Sequence, residues 1–253
     1  MASTSVPPRR VSFVVPAKDE EDRLGPSLQR MIEFVAAQPY ESEIIVVDDG
    51  STDGTAGIAL DAARDLPERV SLRLIQHEVN RGKGAAVRTG VLAATGEFVL
   101  YMDADLATPV EEAPKLIEAL ASGADVAAGT RIQPGGFDMR ASQPAYRRIG
   151  GRLFALARRR LLLSDVEDTQ CGFKGFRREA AQEFYPRSRL DGWSFDTELL
   201  YIAKRLRLKV REVPVQWRHV EGSRFKLGAG SALRELRDLL RIRWLHRGLR
   251  AGP

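Results

Sequence analysis

The sequence contains one cysteine, Cys171, in 253 residues. No internal disulfide can form, so the fold must hold by its core, and a reducing compartment fits. Long apolar runs are missing too. A membrane-spanning helix needs about 20 mostly apolar residues, and no window comes close. The N-terminal stretch MASTSVPPRRVSF lacks the apolar segment of a secretory signal. These absences point to a cytoplasmic chain, at most peripheral on the cytoplasmic face of a membrane. There are no internal repeats and no low-complexity linker. The three histidines, His77, His219 and His246, have no metal-ligand spacing and are expected to be incidental. No Ser-His-Asp or Cys-His set is suggested, and Cys171 reads as a small buried residue rather than a nucleophile.

What the chain does have is charge sorted along its length. The net charge is +5, yet residues 1–130 carry 12 Lys and Arg against 21 Asp and Glu, and residues 131–253 carry 27 against 13. An acidic half can bind metal. A basic half implies an anionic partner: phosphate, nucleic acid or a membrane surface.

The first half alternates β-branched runs with helical stretches. VSFVV (11–15), EIIVV (43–47), VSLRLI (70–75), EFVLYM (97–102) and DVAA (125–128) read as strands, and roughly 26–37, 54–64, 82–94 and 110–121 as helices. The alternation predicts βαβ units and a mostly parallel sheet covered on both faces. IQPGGFDMRASQP (132–144) reads as a mobile loop or a join. Beyond it, 145–163 reads as a helix with Ile149, Leu153, Leu156, Ala157 and Leu161 on one side and Arg147, Arg148, Arg152, Arg158 and Arg159 on the other. GFKGF and LKVREVPV read as strands and 194–206 as a helix. Near the end, Leu233, Leu236, Leu239 and Leu240 oppose Arg234, Arg237 and Arg241, and Trp244, Leu245 and Leu249 keep the tail apolar. Both Arg/Leu helices fit peripheral binding to an anionic leaflet or ordinary packing on the domain.

Three polar clusters follow strands: PAKDE (16–20), DDGSTDGT (48–55) and DAD (103–105). In a parallel sheet the carboxyl ends of the strands share one edge, where ligands bind. Clusters far apart in sequence therefore converge in one cleft. DDGSTDGT can be a turn and helix cap or a base and ribose site. For Asp103 and Asp105, residues i and i+2 of an extended segment point the same way, and two carboxylates together repel unless a cation joins them. Oxygen-only ligands suit Mg²⁺ or Mn²⁺, with phosphates and water completing the shell. NRGKGAAVRTG (80–90) sets Arg81, Lys83 and Arg88 around Gly82 and Gly84. It is not a Walker loop, but it suits a phosphate or sugar nucleotide at a helix start. Trp193 and Trp217 read as core or as site walls. Two rivals fit less well. An aspartate-nucleophile phosphohydrolase needs Thr or Val where Ala107 stands. A nucleic-acid-binding protein needs aromatics among its basic runs.

Taken together, VVPAKDE, IIVVDDGSTDGT, NRGKGAAVRTG, MDADLATP, DTQCGFKGF and WSFDTELL, in this order, resemble glycosyltransferase family 2 with its GT-A fold. Within that family RGKGAAVR, DTQCGFKGF and EVPVQW followed by GSRFK resemble the dolichyl-phosphate β-glucosyltransferases and their bacterial polyprenyl-phosphate relatives. The resemblance implies an α/β chain, Rossmann-like in its nucleotide-sugar-binding half (9–130), with an acceptor-binding half (131–227) and a basic amphipathic C-terminal helix (228–250). It implies that Pro16, Ala17, Asp19 and Glu20 line the nucleotide pocket, with Asp48 near the uracil and Lys83 near the phosphates. It places Asp103 near the ribose and metal and makes Asp105 a metal ligand. Arg131 and Arg147 would contact an acceptor phosphate, Gln170 the sugar, and Arg224 and Lys226 would close over phosphates. Asp196, in SFDTELL, is the base if the acceptor is a hydroxyl, or else a helix-start cap. The implied reaction moves a hexose, glucose first, from a UDP-sugar to a polyprenyl phosphate with inversion and a divalent metal. GDP-mannose or a hydroxyl acceptor are the alternatives. Mannosyl members often place a polar ligand two residues after the second Asp, and Ala107 there leans toward glucose. Eukaryotic members usually carry an N-terminal membrane helix that this sequence does not show.

Overall fold

The computed structural model describes residues 8–139, 156–218, 220 and 229–249, excepting the side chains of 229–233. The order is β1 (Arg10–Ala17), α1 (Glu21–Ala36), β2 (Glu41–Asp48), α2 (Thr55–Ala62), β3 (Val70–Gln76), α3 (Lys83–Ala93), β4 (Phe98–Met102), a 3₁₀ turn (Val110–Glu112), α4 (Ala113–Ala121), β5 (Val126–Thr130), β6 (Phe173–Arg177), α5 (Arg178–Phe184), α6 (Phe195–Arg205), β7 (Val210–Pro214) and α7 (Ala229–Leu245). The strands form one sheet in the order β3-β2-β1-β4-β6-β5-β7. Every neighbouring pair is parallel except those made by β6, which runs antiparallel to β4 and β5.

The parallel strands are apolar almost throughout because both faces are covered. Successive residues of a strand point to opposite faces. Phe13, Val15, Ile44, Val46, Leu100 and Met102 therefore pack with α1 and α4, while Val14, Ile45, Val47, Val99 and Tyr101 pack with α3, α5 and α6. Helix α1 buries Leu24, Leu28, Met31 and Val35, an i, i+4, i+7, i+11 stripe. It begins at Glu21, five residues before the expected start, with Pro26 inside it. Proline costs one internal hydrogen bond there, and the buried Leu24 and Leu28 on either side hold the turn in place.

Two amphipathic readings need correction. In the helical stretch 156–161, Arg158 is 2% exposed and Leu156 is 50% exposed, the reverse of the expected faces. The buried guanidinium donates to the carbonyls of Leu163, Val166 and Glu167, so it closes the turn that follows the helix and leaves no donor to repel the core. In α7 the leucines divide. Leu239 and Ile242 are buried, while Leu236 and Leu240 are exposed. The other arginines and leucines expected on the 145–163 helix, up to residue 155, lie outside the described residues.

Candidate active site

The chain order β1, β2, β3 steps outward one way along the sheet, then returns to place β4 on the other side of β1. This reversal opens a crevice at the carboxyl ends of β1 and β4. Ala17 stands beside Asp48 in the β1–β2 ladder, and β1 and β4 are parallel. The PAKDE, DDGSTDGT and DAD clusters therefore meet at one edge.

The first two clusters are knitted together by their own polar groups. Asp19 has φ +48, and its N–H donates to Ser51 Oγ. The Asp19 carboxylate accepts from Thr52 N–H at 2.8 Å and lies 3.1 Å from Lys18 Nζ. The Thr52 hydrogen bond first and Lys18 second hold its carboxyl below the usual range. Lys18 in turn donates to the Gly50 carbonyl, and Glu20 N–H donates to Thr55 Oγ1. Asp48 is buried and accepts from Ser51 N–H and Gln76 Nε2. Pro16 and Ala17 end β1 at this edge. Glu20 pairs with Arg23 at 2.6 Å, and the positive charge of Arg23 also acts on Asp105. Arg23 was not among the residues singled out from the sequence.

Asp103 and Asp105 stand in a turn rather than on an extended segment: Leu106 N–H donates to the Asp103 carbonyl. Leu106 takes φ +47, a costly conformation for a branched side chain, and it is buried under the turn. Asp105 Oδ1 accepts from Ala107 N–H at 3.0 Å. Burial first and the Asp103 charge second push the Asp105 carboxyl up. Lys83 Nζ sits 2.5 Å from Asp103 Oδ1. Burial opposes the lysine charge, but Asp103, Asp196 and Asp105 outweigh it and raise its proton affinity. Asp103 Oδ1 is shielded from solvent, and the Lys83 ammonium is the partner that faces it. The Asp103 carboxylate also lies over the α-carbon of Gly172, where any side chain would overlap it. No set of three His, Cys, Asp or Glu side chains is grouped for a metal among the described residues. Two neighbouring carboxylate groups, one of them raised by burial and by the charge of the other, still fit a cation whose remaining ligands come from phosphates and water.

The NRGKG loop is placed by a residue the sequence left unassigned. Asp49 accepts from Arg81 N–H at 2.9 Å, Gly82 N–H at 2.7 Å and His77 Nδ1 at 2.7 Å, and His77 Nε2 meets Thr89 Oγ1. His77 is thus a buried partner, not incidental. Gly82 adopts φ +101 against the Asp191 carbonyl, where a β-carbon would collide. Lys83 points to the carboxylates and lies 5.1 Å from the Trp193 ring centroid. Arg88 turns away to Ser188 and Asp191.

On the other side of β4, Arg131 follows β5. Its Nε and Nη2 donate to the two oxygens of buried Asp168, each at 2.7 Å, and its backbone N–H donates to Asp168 as well. The guanidinium lies 5.6 Å from the Trp217 ring centroid. Both tryptophans stand beside site cations. Gln170 is half-buried, and its N–H donates to Asp168 Oδ1. Burial pushes the Cys171 thiol up to about 11, which keeps it protonated and unreactive at neutral pH.

Asp196 is neither a helix cap nor a solvent-facing carboxylate. Ser194 stands at the N-cap, without a side-chain cap. Asp196 is 4% exposed, and its Oδ1 accepts from Lys174 Nζ at 2.7 Å and from Tyr101 hydroxyl. Lys174 is fully buried and also donates to the Cys171 carbonyl. An oxygen shared by an ammonium and a phenol is poorly suited to take a proton from a substrate. Arg147, Arg224 and Lys226 lie outside the described residues.

The model of "Glycosyl transferase family 2" matches residues 12–184. A dolichyl-phosphate beta-glucosyltransferase of Dictyostelium discoideum is 34% identical over 245 residues, covering 92% of this chain and 74% of that protein. Its namesake from Saccharomyces cerevisiae is 33% identical over 258 residues, covering 92% and 74%. A crystal structure of glucosyl-3-phosphoglycerate synthase from Mycobacterium tuberculosis, in complex with Mn²⁺ and UDP-glucose, superimposes with a TM-score of 0.65 at 21% identity, covering 97% of this chain and 80% of that one. With a seven-stranded, mostly parallel sheet and its polar clusters at one edge, the chain belongs to glycosyl transferase family 2 and has the GT-A fold.

Proposed function

We propose that the protein transfers a glucosyl group, with inversion, from UDP-glucose to a polyprenyl phosphate of the dolichyl type, using Mg²⁺ or Mn²⁺. What carries this reading is the carboxylate pair at the crevice edge: Asp103, held by Lys83, beside an Asp105 carboxyl raised by burial and by its neighbour. Such a pocket calls for a cation, and a nucleoside diphosphate brings the phosphates that complete its shell. The acceptor reading leans on relatives named for dolichyl phosphate and glucose. The donor reading leans on a fold neighbour crystallised with Mn²⁺ and UDP-glucose.

Residues 9–130 serve the donor. Pro16, Ala17, Asp19 and Glu20 line the nucleotide, Asp48 lies near the base, and Asp103 and Asp105 hold the metal. When bound, the metal offsets charge that develops on the leaving diphosphate. Lys83 adds a fixed ammonium beside it. Residues 131–227 serve the acceptor. Arg131, locked by Asp168, offers its remaining donors to the incoming phosphate, aided by Arg147, with Gln170 near the sugar and Arg224 and Lys226 over the phosphates. A phosphate monoester is already mostly anionic at neutral pH, so it needs positioning more than a general base. Asp196, paired with Lys174, shapes the site instead of taking a proton.

The test is a radiolabel transfer assay with UDP-glucose or GDP-mannose as donor and polyprenyl phosphate or polyprenol as acceptor, with and without EDTA. Product from UDP-glucose and the phosphate alone, lost in EDTA, is expected. Preference for GDP-mannose overturns the donor, transfer to polyprenol overturns the base-free chemistry, and turnover in EDTA overturns the metal.

A further inference from the structure

The outward face of α7 is sorted in a way that packing on the domain does not require. Leu236, Leu240 and Trp244 are 42%, 53% and 61% exposed. They recur every four residues, so they form one continuous apolar stripe on the helix. Arg237 and Arg241 border it on one side, Arg243 and Arg247 on the other, and all four are exposed. Arg243 bonds the Leu161 carbonyl and Arg247 lies over the Trp244 ring, so both are held next to the stripe. The acidic residues of the helix turn the other way. Asp238 accepts from Ser194 Oγ, and Glu235 is half-buried, with burial and then Asp238 raising its carboxyl. Leu239, Ile242 and His246 make the inward face, where His246 meets buried Glu198 of α6 at 2.7 Å.

We infer that this face of α7 docks the protein flat on an anionic lipid bilayer. A helix lying in the membrane interface needs an apolar stripe of Leu and Trp, cationic side chains along both edges and no carboxylate facing the headgroups. The outward face meets all three conditions. No described helix is long and apolar enough to cross a membrane. The inward bonds fix the docked helix to α6, whose Asp196 walls the candidate site, so the docked surface and the site move as one body. The inference stands on the surface alone and does not need the proposed reaction.

The full chain is sedimented with vesicles of phosphatidylcholine alone or mixed with phosphatidylglycerol, while Trp fluorescence is recorded. Binding to the anionic vesicles roughly tenfold tighter or more than to the neutral ones, weakened by salt, with a blue-shifted emission, is expected. The variant Leu240→Asn with Trp244→Ser, whose side chains are already exposed, should fold with unchanged circular dichroism and lose at least that factor. Equal binding to both vesicle types, or full binding by the variant, overturns the inference. So does a dimer in light scattering that the variant abolishes, because the face then belongs to a second copy. Transfer to a short-chain, water-soluble polyprenyl phosphate should be unchanged in the variant. Vesicle binding without any such transfer refutes the proposed reaction and leaves the docking intact.

Discussion

The carboxylate of Asp103 rests against the α-carbon of Gly172, at the point where the chain enters β6. Hydrogen is the only substituent that leaves room for it. Gly172→Ala should therefore displace Asp103 while leaving the sheet intact. Misplacement of a group near the chemistry by about 1 Å commonly costs on the order of 100-fold in rate. Transfer should fall by that order, with nucleotide affinity falling alongside it in calorimetry. Turnover within twofold of the parent would show that Asp103 has slack.

Asp105 is pushed up by burial and by Asp103. A carboxyl raised in the folded state opposes folding when ionised, and the penalty disappears as pH falls through the raised value. Asp105→Asn keeps the acceptor for Ala107 N–H and removes the charge. In EDTA near pH 7 its Tm should equal or exceed the parent's, with the gap closing on acidification. Transfer should drop on the order of 100-fold or more. Metal should raise the Tm of the parent only. A variant less stable than the parent in EDTA contradicts the argument.

Lys174 and Asp196 form a buried pair with Tyr101. Removing one partner of such a pair strands a charge and costs about 3–5 kcal/mol. Lys174→Met should lower stability by that order, and the double variant Lys174→Met with Asp196→Leu should recover part of it in urea titrations. Asp196→Asn, assayed where it remains folded, should keep turnover within about tenfold, since a general base contributes about 100-fold or more. Total loss of turnover in a folded Asp196→Asn protein would restore the base.

Glu43 lies at the opposite end of the sheet, away from the site. Burial alone would raise its carboxyl, but Ser12, Thr95 and Arg73 prevail and hold it below the usual range. A carboxyl lowered by folding stabilises the protein above the ordinary carboxylate range, and that stability is lost as pH falls through the folded value. Glu43→Gln should cost stability near pH 7 and flatten the acid limb of the Tm–pH curve. An acid limb parallel to the parent's would assign the loss elsewhere.

Much of this architecture could be read from residue patterns. The β-branched runs became the strands, and the three polar clusters meet at one edge, because strand direction alone brings PAKDE, DDGST and DAD together. What escaped was pairing between residues whose spacing carries no period. Tyr101, Lys174 and Asp196 come from three elements, and Arg131 finds Asp168 across a long connection. Asp49 looked like half of a doublet, yet it ties down the loop that presents Lys83. Arg158 looked like a solvated charge because its partners are main-chain carbonyls, which no side-chain pattern reports. For α7 the apolar residues were visible, but which of them face inward depends on where α6 lies, and Leu236 parts company with Leu239 for that reason.

The reversed strand β6 has one more effect. Strand β5 ends at Thr130, within the acidic half, yet it touches β4 only through β6, which comes from the basic half. A chain severed after residue 130 would leave β4 with a bare edge and β5 without its β6 and β7 partners. The acidic and basic halves of the chain cannot be separated as pieces. They are interleaved in the sheet like the teeth of a joint, so neither can be inherited, expressed or exchanged without the other.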